Sequence, residues 1–159
     1  MRVAILFWVY KDLALCTDRI KHLRELDHRT PIYCLYGGPL ISADLFRDGL
    51  ESLVDDFYVY PADRPAYWKW LHGDQLISSW YRERGAGLNW DTIFVAQWDL
   101  LLLSPVGDVC RALRSDQVLF PGLRRIRDVE TSWWWTRPGS PERAEFEEFC
   151  ESLAQSGNA

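Results

Sequence analysis

A chain of 159 residues, 48% hydrophobic and 26% charged, has the length of one domain and enough apolar side chains for a core without disulfide or metal staples, which excludes wholesale disorder. The formal net charge of −5 speaks against nucleic acid as the partner, because phosphate backbones demand clustered Lys and Arg. Nine Trp add an aromatic load that packing or stacking has to use.

Residues 3–10 are apolar throughout and rich in Val, Ile, Phe, Trp and Tyr, the pattern of a strand buried on both faces. The run is too short to span a bilayer and has no cleavage site after it. Leu13, Cys16, Ile20 and Leu23 then recur at helical spacing, with charged residues between them. Residues 32–36 predict a second strand, broken by Gly37-Gly38-Pro39. Ser42 is the expected N-cap of a second helix that carries Phe46, Leu50 and Leu53 on its apolar stripe. Residues 57–60 predict a third strand. A third helix ends near Arg84 at Gly85-Ala86-Gly87, and residues 92–96 predict a fourth strand.

Residues 100–103 are a further apolar run. The tail reads as a helix over 107–114, a strand at 118–120, a basic segment, an aromatic strand at 133–135 and a last helix over 141–153. Strand and helix thus alternate, which predicts an α/β fold: one mostly parallel sheet with helices on both faces, the first strand central. A single domain over 1–154 and a frayed tail at 155–159 are expected. Cys16, Cys34, Cys110 and Cys150 lie inside apolar patterns without CxxC spacing, so all four are expected as free thiols. With no export signal, a cytoplasmic location follows.

In open α/β sheets ligands bind beyond the carboxyl ends of the strands. Attention therefore falls on Tyr10-Lys11-Asp12, Gly37-Gly38, Tyr60-Pro61 and Gln97-Trp98-Asp99. No GxGxxG follows the first strand and no GxxxxGK[ST] occurs, which removes the main support for dinucleotide and P-loop chemistry. Asp99 stands between two apolar runs. It reads either as a ligand for a hard cation at the floor of the main cleft or as a turn Asp bonding local backbone. Asp74 is either the N-cap of the third helix or, if that helix begins at Trp68, a carboxylate on its buried stripe. Arg124, Arg125 and Arg127 are a candidate diphosphate clamp or a solvated loop. Trp133, Trp134 and Trp135 offer core packing and a possible stacking face.

The segment from residue 68 to 105, WKWLHGDQLISSWYRERGAGLNWDTIFVAQWDLLLLSP, resembles the core of GT-A-type glycosyltransferase-like proteins. In these a helix carrying an early Asp leads into a strand ending in an acidic motif such as Glu-Trp-Asp. Asp74 matches the helix Asp, Trp80 the later aromatic and Asp99 the last acid, while the first acid is Gln97 here. The resemblance implies a GT-A or Rossmann-like sandwich that binds a nucleoside-diphosphate sugar and an acceptor, with no nucleic acid and no membrane span. It implies Mn²⁺ or Mg²⁺ at Asp99, with Asp99 and Asp74 as catalytic residues. Lys11, Gln97, Trp98, Arg124, Arg125 and Arg127 would contact the donor. An amide at Gln97 brings no charge, so metal affinity should be lower than with an acid there.

Overall fold

The computed structural model describes residues 1–65, 68–69, 72–114 and 117–118, together with 139, 143–144, 147–148 and 151. The chain divides into two compact units, Met1–Gln117 and Val118–Ala159. Arg124, Arg125, Arg127, the three Trp at 133–135, Cys150 and the tail at 155–159 lie outside the described residues. Of the strand expected at 118–120 only Val118 is described. Residues 143, 144, 147, 148 and 151 are helical, within the last helix that the sequence predicts.

The first unit is α/β. Strands β1 (Val3–Val9), β2 (Ile32–Tyr36), β3 (Asp56–Val59) and β4 (Thr92–Gln97) form one sheet in the order β3-β2-β1-β4. Every pairing is parallel. Helices α1 (Leu13–Leu26), α2 (Ala43–Leu50) and α3 (Gly73–Glu83) make the connections that parallel strands require. β1 is an inner strand, and its continuous apolar run follows from that position. Ile5, Phe7 and Val9 meet Cys16, Ile20 and Leu23 of α1 and Phe46 and Leu50 of α2. Ala4, Leu6 and Trp8 meet Leu76 and Trp80 of α3 on the opposite face. Helices therefore cover both faces. Truncating a ring as completely buried as Phe7 costs about 3–5 kcal/mol.

The start of α1 is set by Asp12, whose Oδ1 accepts the Leu15 N–H at 3.1 Å. Asp12 has φ 56, the left-handed region that Asp tolerates better than most residues. Its side-chain cap offsets that strain by about 1 kcal/mol. At the other end of the sheet Arg24 ties three segments together. Its Nε donates to Leu53 O at 3.1 Å, its Nη1 to Thr30 O at 3.0 Å, and its Nη2 to Asp55 at 2.7 Å. The same Asp55 oxygen accepts the Ile32 N–H at 2.8 Å, so the entries to β2 and β3 are fixed by one guanidinium.

Two local expectations change. Ser42 occupies the N-cap position of α2, but its side chain makes no capping hydrogen bond. A 3-10 turn over Leu40–Ser42 leads directly into the helix instead. The helix expected over 107–114 is only α4 (Val106–Val109). Beyond it Leu113 N bonds Cys110 O, a 3-10 spacing. Val106 and Cys110 are buried there but Arg111 and Ala112 are exposed, so no apolar stripe holds a longer helix against the sheet.

Candidate functional site at the carboxyl ends of the strands

Strand order reverses at β1, which pairs β2 on one side and β4 on the other. The crevice beyond the β1 and β4 ends is where ligands bind in open α/β sheets. Register brings Trp8 opposite Gln97, and the Trp98 N–H donates to Trp8 O at 2.9 Å. The segments Tyr10-Lys11-Asp12 and Gln97-Trp98-Asp99 therefore leave the sheet side by side. The Tyr10 ring lies edge-on to Trp98 at 5.8 Å and tilted to Trp8 at 6.1 Å. Lys11 Nζ stands 4.7 Å from the Trp98 ring centroid and 5.7 Å from that of Tyr10, a cation over two aromatic faces. Three expected donor contacts, Lys11, Gln97 and Trp98, are thus gathered at one strand end.

The indole N–H groups of Trp8 and Trp98 are buried and have no hydrogen-bond partner among the described residues. A buried donor left unpaired costs about 1–3 kcal/mol, and the two lie on opposite faces of the sheet, Trp8 packed with α3 and Trp98 with α1 and α2.

Asp99 departs from the expected position. Leu100 N donates to Gln97 O at 3.0 Å, closing a turn that presents Asp99 to solvent. Asp99 is exposed rather than at the floor of a cleft. The flanking argument fails because the second apolar run is itself at the surface, with Leu100 at 40%, Leu101 at 46% and Leu103 at 84% exposure.

Asp74 also needs correction, because it is neither an N-cap nor part of a buried stripe. His72 is the N-cap of α3, Gly73 begins the helix, and Asp74 is an exposed acid in the first turn. Gly73 packs on Trp8, where a Cβ would come within 2.5 Å of the ring. That contact draws the helix start two residues earlier than a cap at Asp74 allows. Among the described residues no three His, Cys, Asp or Glu side chains group to hold a metal. Asp99 supplies one carboxylate, which suits a hard cation only when substrate phosphates provide further oxygens.

Sequence reasoning missed Lys69. It is 1% exposed, and its Nζ donates to Gly38 O at 2.7 Å at the end of β2. Burial pushes its pKa down, with Asp63 opposing. Its ammonium also lies 5.8 Å from the Tyr60 ring. Beside it Trp68 stacks on Tyr60 at 6.4 Å and on His72 at 4.4 Å, with Arg64 over the indole at 5.1 Å. The available signal was a lysine inside Trp68-Lys69-Trp70, an aromatic run.

Gly37 is held by close packing: a Cβ there would lie 2.7 Å from Leu76 and 2.8 Å from Trp8 Nε1. Cys16, Cys34 and Cys110 are free and buried. Burial pushes the Cys16 thiol up to about 12 and those of Cys34 and Cys110 upward. They are core residues, not nucleophiles.

A separate cleft of about 560 Å³ runs beside β3, lined by Tyr60, Gln75, Ser78, Ser79, Arg82 and Glu83. Neither Asp99 nor Lys11 borders it.

With this geometry in view, the chain was compared with known proteins. No family model matches it. No curated protein and no solved structure matches it either. The described residues also contain no helix long and apolar enough to cross a membrane.

Proposed function

We propose that this protein binds a nucleoside-diphosphate sugar at the ends of β1 and β4 and transfers its glycosyl group. The observation that carries the reading is the junction of Lys11, Gln97, Trp98 and Asp99 at the point where strand order reverses. Trp98 and Tyr10 supply ring faces for a planar base. Lys11 supplies positive charge for a phosphate. Asp99, with Gln97 beside it, would hold Mn²⁺ or Mg²⁺ brought in with the diphosphate. When bound, such a cation stabilises charge on the departing diphosphate. Asp74, exposed in the first turn of α3, would contact the sugar or metal-bound water.

A second reading is a binding or scaffolding domain without transfer chemistry. Gln97 favours it, since the amide stands where the resembling motif carries an acid, and one exposed carboxylate holds a cation weakly.

Calorimetry of the full chain against UDP, GDP and their sugars, with and without Mn²⁺, tests the proposal. Metal-dependent nucleotide binding that disappears in Asp99→Asn and strengthens in Gln97→Glu is the expected result. Absence of nucleotide binding in wild type and Gln97→Glu alike would leave the scaffold reading.

A further inference from the structure

The cleft beside β3 is independent of the strand-end crevice. Five of its residues sit on α3, at positions 75, 78, 79, 82 and 83. That is one helical face, flanking the buried stripe of Leu76 and Trp80. A polar helix face is ordinarily solvated and carries no ligand. This one differs because Tyr60, just past β3, closes it into a concavity of about 560 Å³, within the size range of small-ligand sites.

The chemistry of the walls is mixed. Gln75, Ser78 and Ser79 both donate and accept, Arg82 donates, Glu83 accepts, and Tyr60 adds a ring. Arg82 and Glu83 balance in charge, so the cleft favours neither anion nor cation. One acceptor is fixed from beneath: buried Tyr58 shares a hydrogen bond of 2.9 Å with Ser79, whose hydroxyl reaches Glu83 at 3.2 Å. A neutral molecule dense in hydroxyls, with an apolar face to lie on a phenol ring, fits such a surface.

We infer that this cleft is a carbohydrate subsite that takes an uncharged pyranose unit of an oligosaccharide acceptor. The acceptor role rests on the transferase reading, while carbohydrate binding does not. Tyr60 leaves the sheet at the same end as Trp98, but β3 is two strands from β1 and three from β4. At about 4.8 Å per strand this separates cleft and crevice by roughly 10–14 Å. A chain of sugars spans that gap and a single sugar does not, so the acceptor is an oligosaccharide.

Saturation-transfer NMR of the full chain with maltotriose, cellotriose and triacetylchitotriose, each up to about 10 mM, tests the inference. At least one is expected to receive saturation. Gln75→Ala and Tyr60→Ala should each weaken its binding by about fivefold, the scale of one lost polar or stacking contact. Because Tyr60→Ala could disturb folding, Ser78→Trp provides a second variant. It fills the cleft from an exposed helix position and should abolish binding with the circular dichroism spectrum unchanged. Asp99→Asn should leave trisaccharide binding intact. No saturation of any trisaccharide, or binding indifferent to Gln75→Ala and Ser78→Trp, overturns the inference. Trisaccharide binding without nucleotide binding keeps the subsite and removes the transferase reading. Nucleotide binding without trisaccharide binding does the reverse.

Discussion

Replacing Lys69 by Met removes a positive charge from a site 1% exposed and keeps most of its volume. Among the described residues the ammonium has one acceptor, Gly38 O, for three N–H donors, and no carboxylate bonds it. Losing that bond leaves a carbonyl unpaired, a cost of about 1 kcal/mol. Relieving the buried charge returns several kcal/mol in the limit of full desolvation and less where neighbouring rings shield it. A net gain of about 1–2 kcal/mol is expected, which raises Tm by roughly 3–6 °C for a chain of this length.

The pH dependence provides a second check on Lys69→Met. A lysine with a lowered folded pKa destabilises the fold while both states are protonated. That penalty disappears as pH rises toward the free-lysine value near 10.4. The advantage of Met over wild type should therefore shrink as pH rises toward 10.5. Urea unfolding of both proteins at four or five pH values measures it. A Met variant less stable than wild type at pH 7, with a difference independent of pH, would refute the reasoning.

Gln97→Glu should increase Mn²⁺-dependent nucleotide affinity without raising Tm in metal-free buffer, as read by calorimetry and thermal melts. Arg24→Ala should lose about 2 kcal/mol, since three charge-assisted bonds are lost and Asp55 keeps only the Ile32 N–H; a urea midpoint unchanged from wild type would contradict this. The Cys16 thiol, raised to about 12 by burial, keeps its proton in the fold while the unfolded chain releases it near 8.5–9. Its stabilisation is present below that value and lost as pH rises toward 12. Lys69 acts in the opposite sense over part of that range, so Cys16→Ala is best compared in the Lys69→Met background, where it should flatten the alkaline fall in the urea midpoint.

The sheet was legible because β1 and β2 are apolar without interruption, the mark of strands covered on both faces, and because helical spacing separates them. Over residues 1–97 the existence and order of the elements survived, whereas details set by single contacts did not. Asp12 caps α1 from a left-handed conformation, and a helix propensity carries no information on that torsion. Asp74 lost its capping role to the packing of Gly73 on Trp8, a contact between residues 65 positions apart in the sequence. Apolar neighbours in sequence do not bury Asp99, because residues 100, 101 and 103 are themselves exposed. Lys69 went unnoticed because lysine is almost never buried, so composition argues against what the fold does.

The short link between β1 and α1 has a kinetic consequence. Gly37 N bonds Val9 O at 2.8 Å, Cys16 N bonds Asp12 O at 2.9 Å, and Cys16 Sγ donates to Lys11 O at 3.2 Å. Tyr10, Lys11 and Asp12 are thus anchored by backbone on both sides, so a ligand arriving there meets a surface that has already given up its conformational entropy on folding. Association with this loop should be a single-step encounter, with no slow rearrangement after contact. Differences in affinity among ligands that engage only this loop would then be carried by how fast each one leaves.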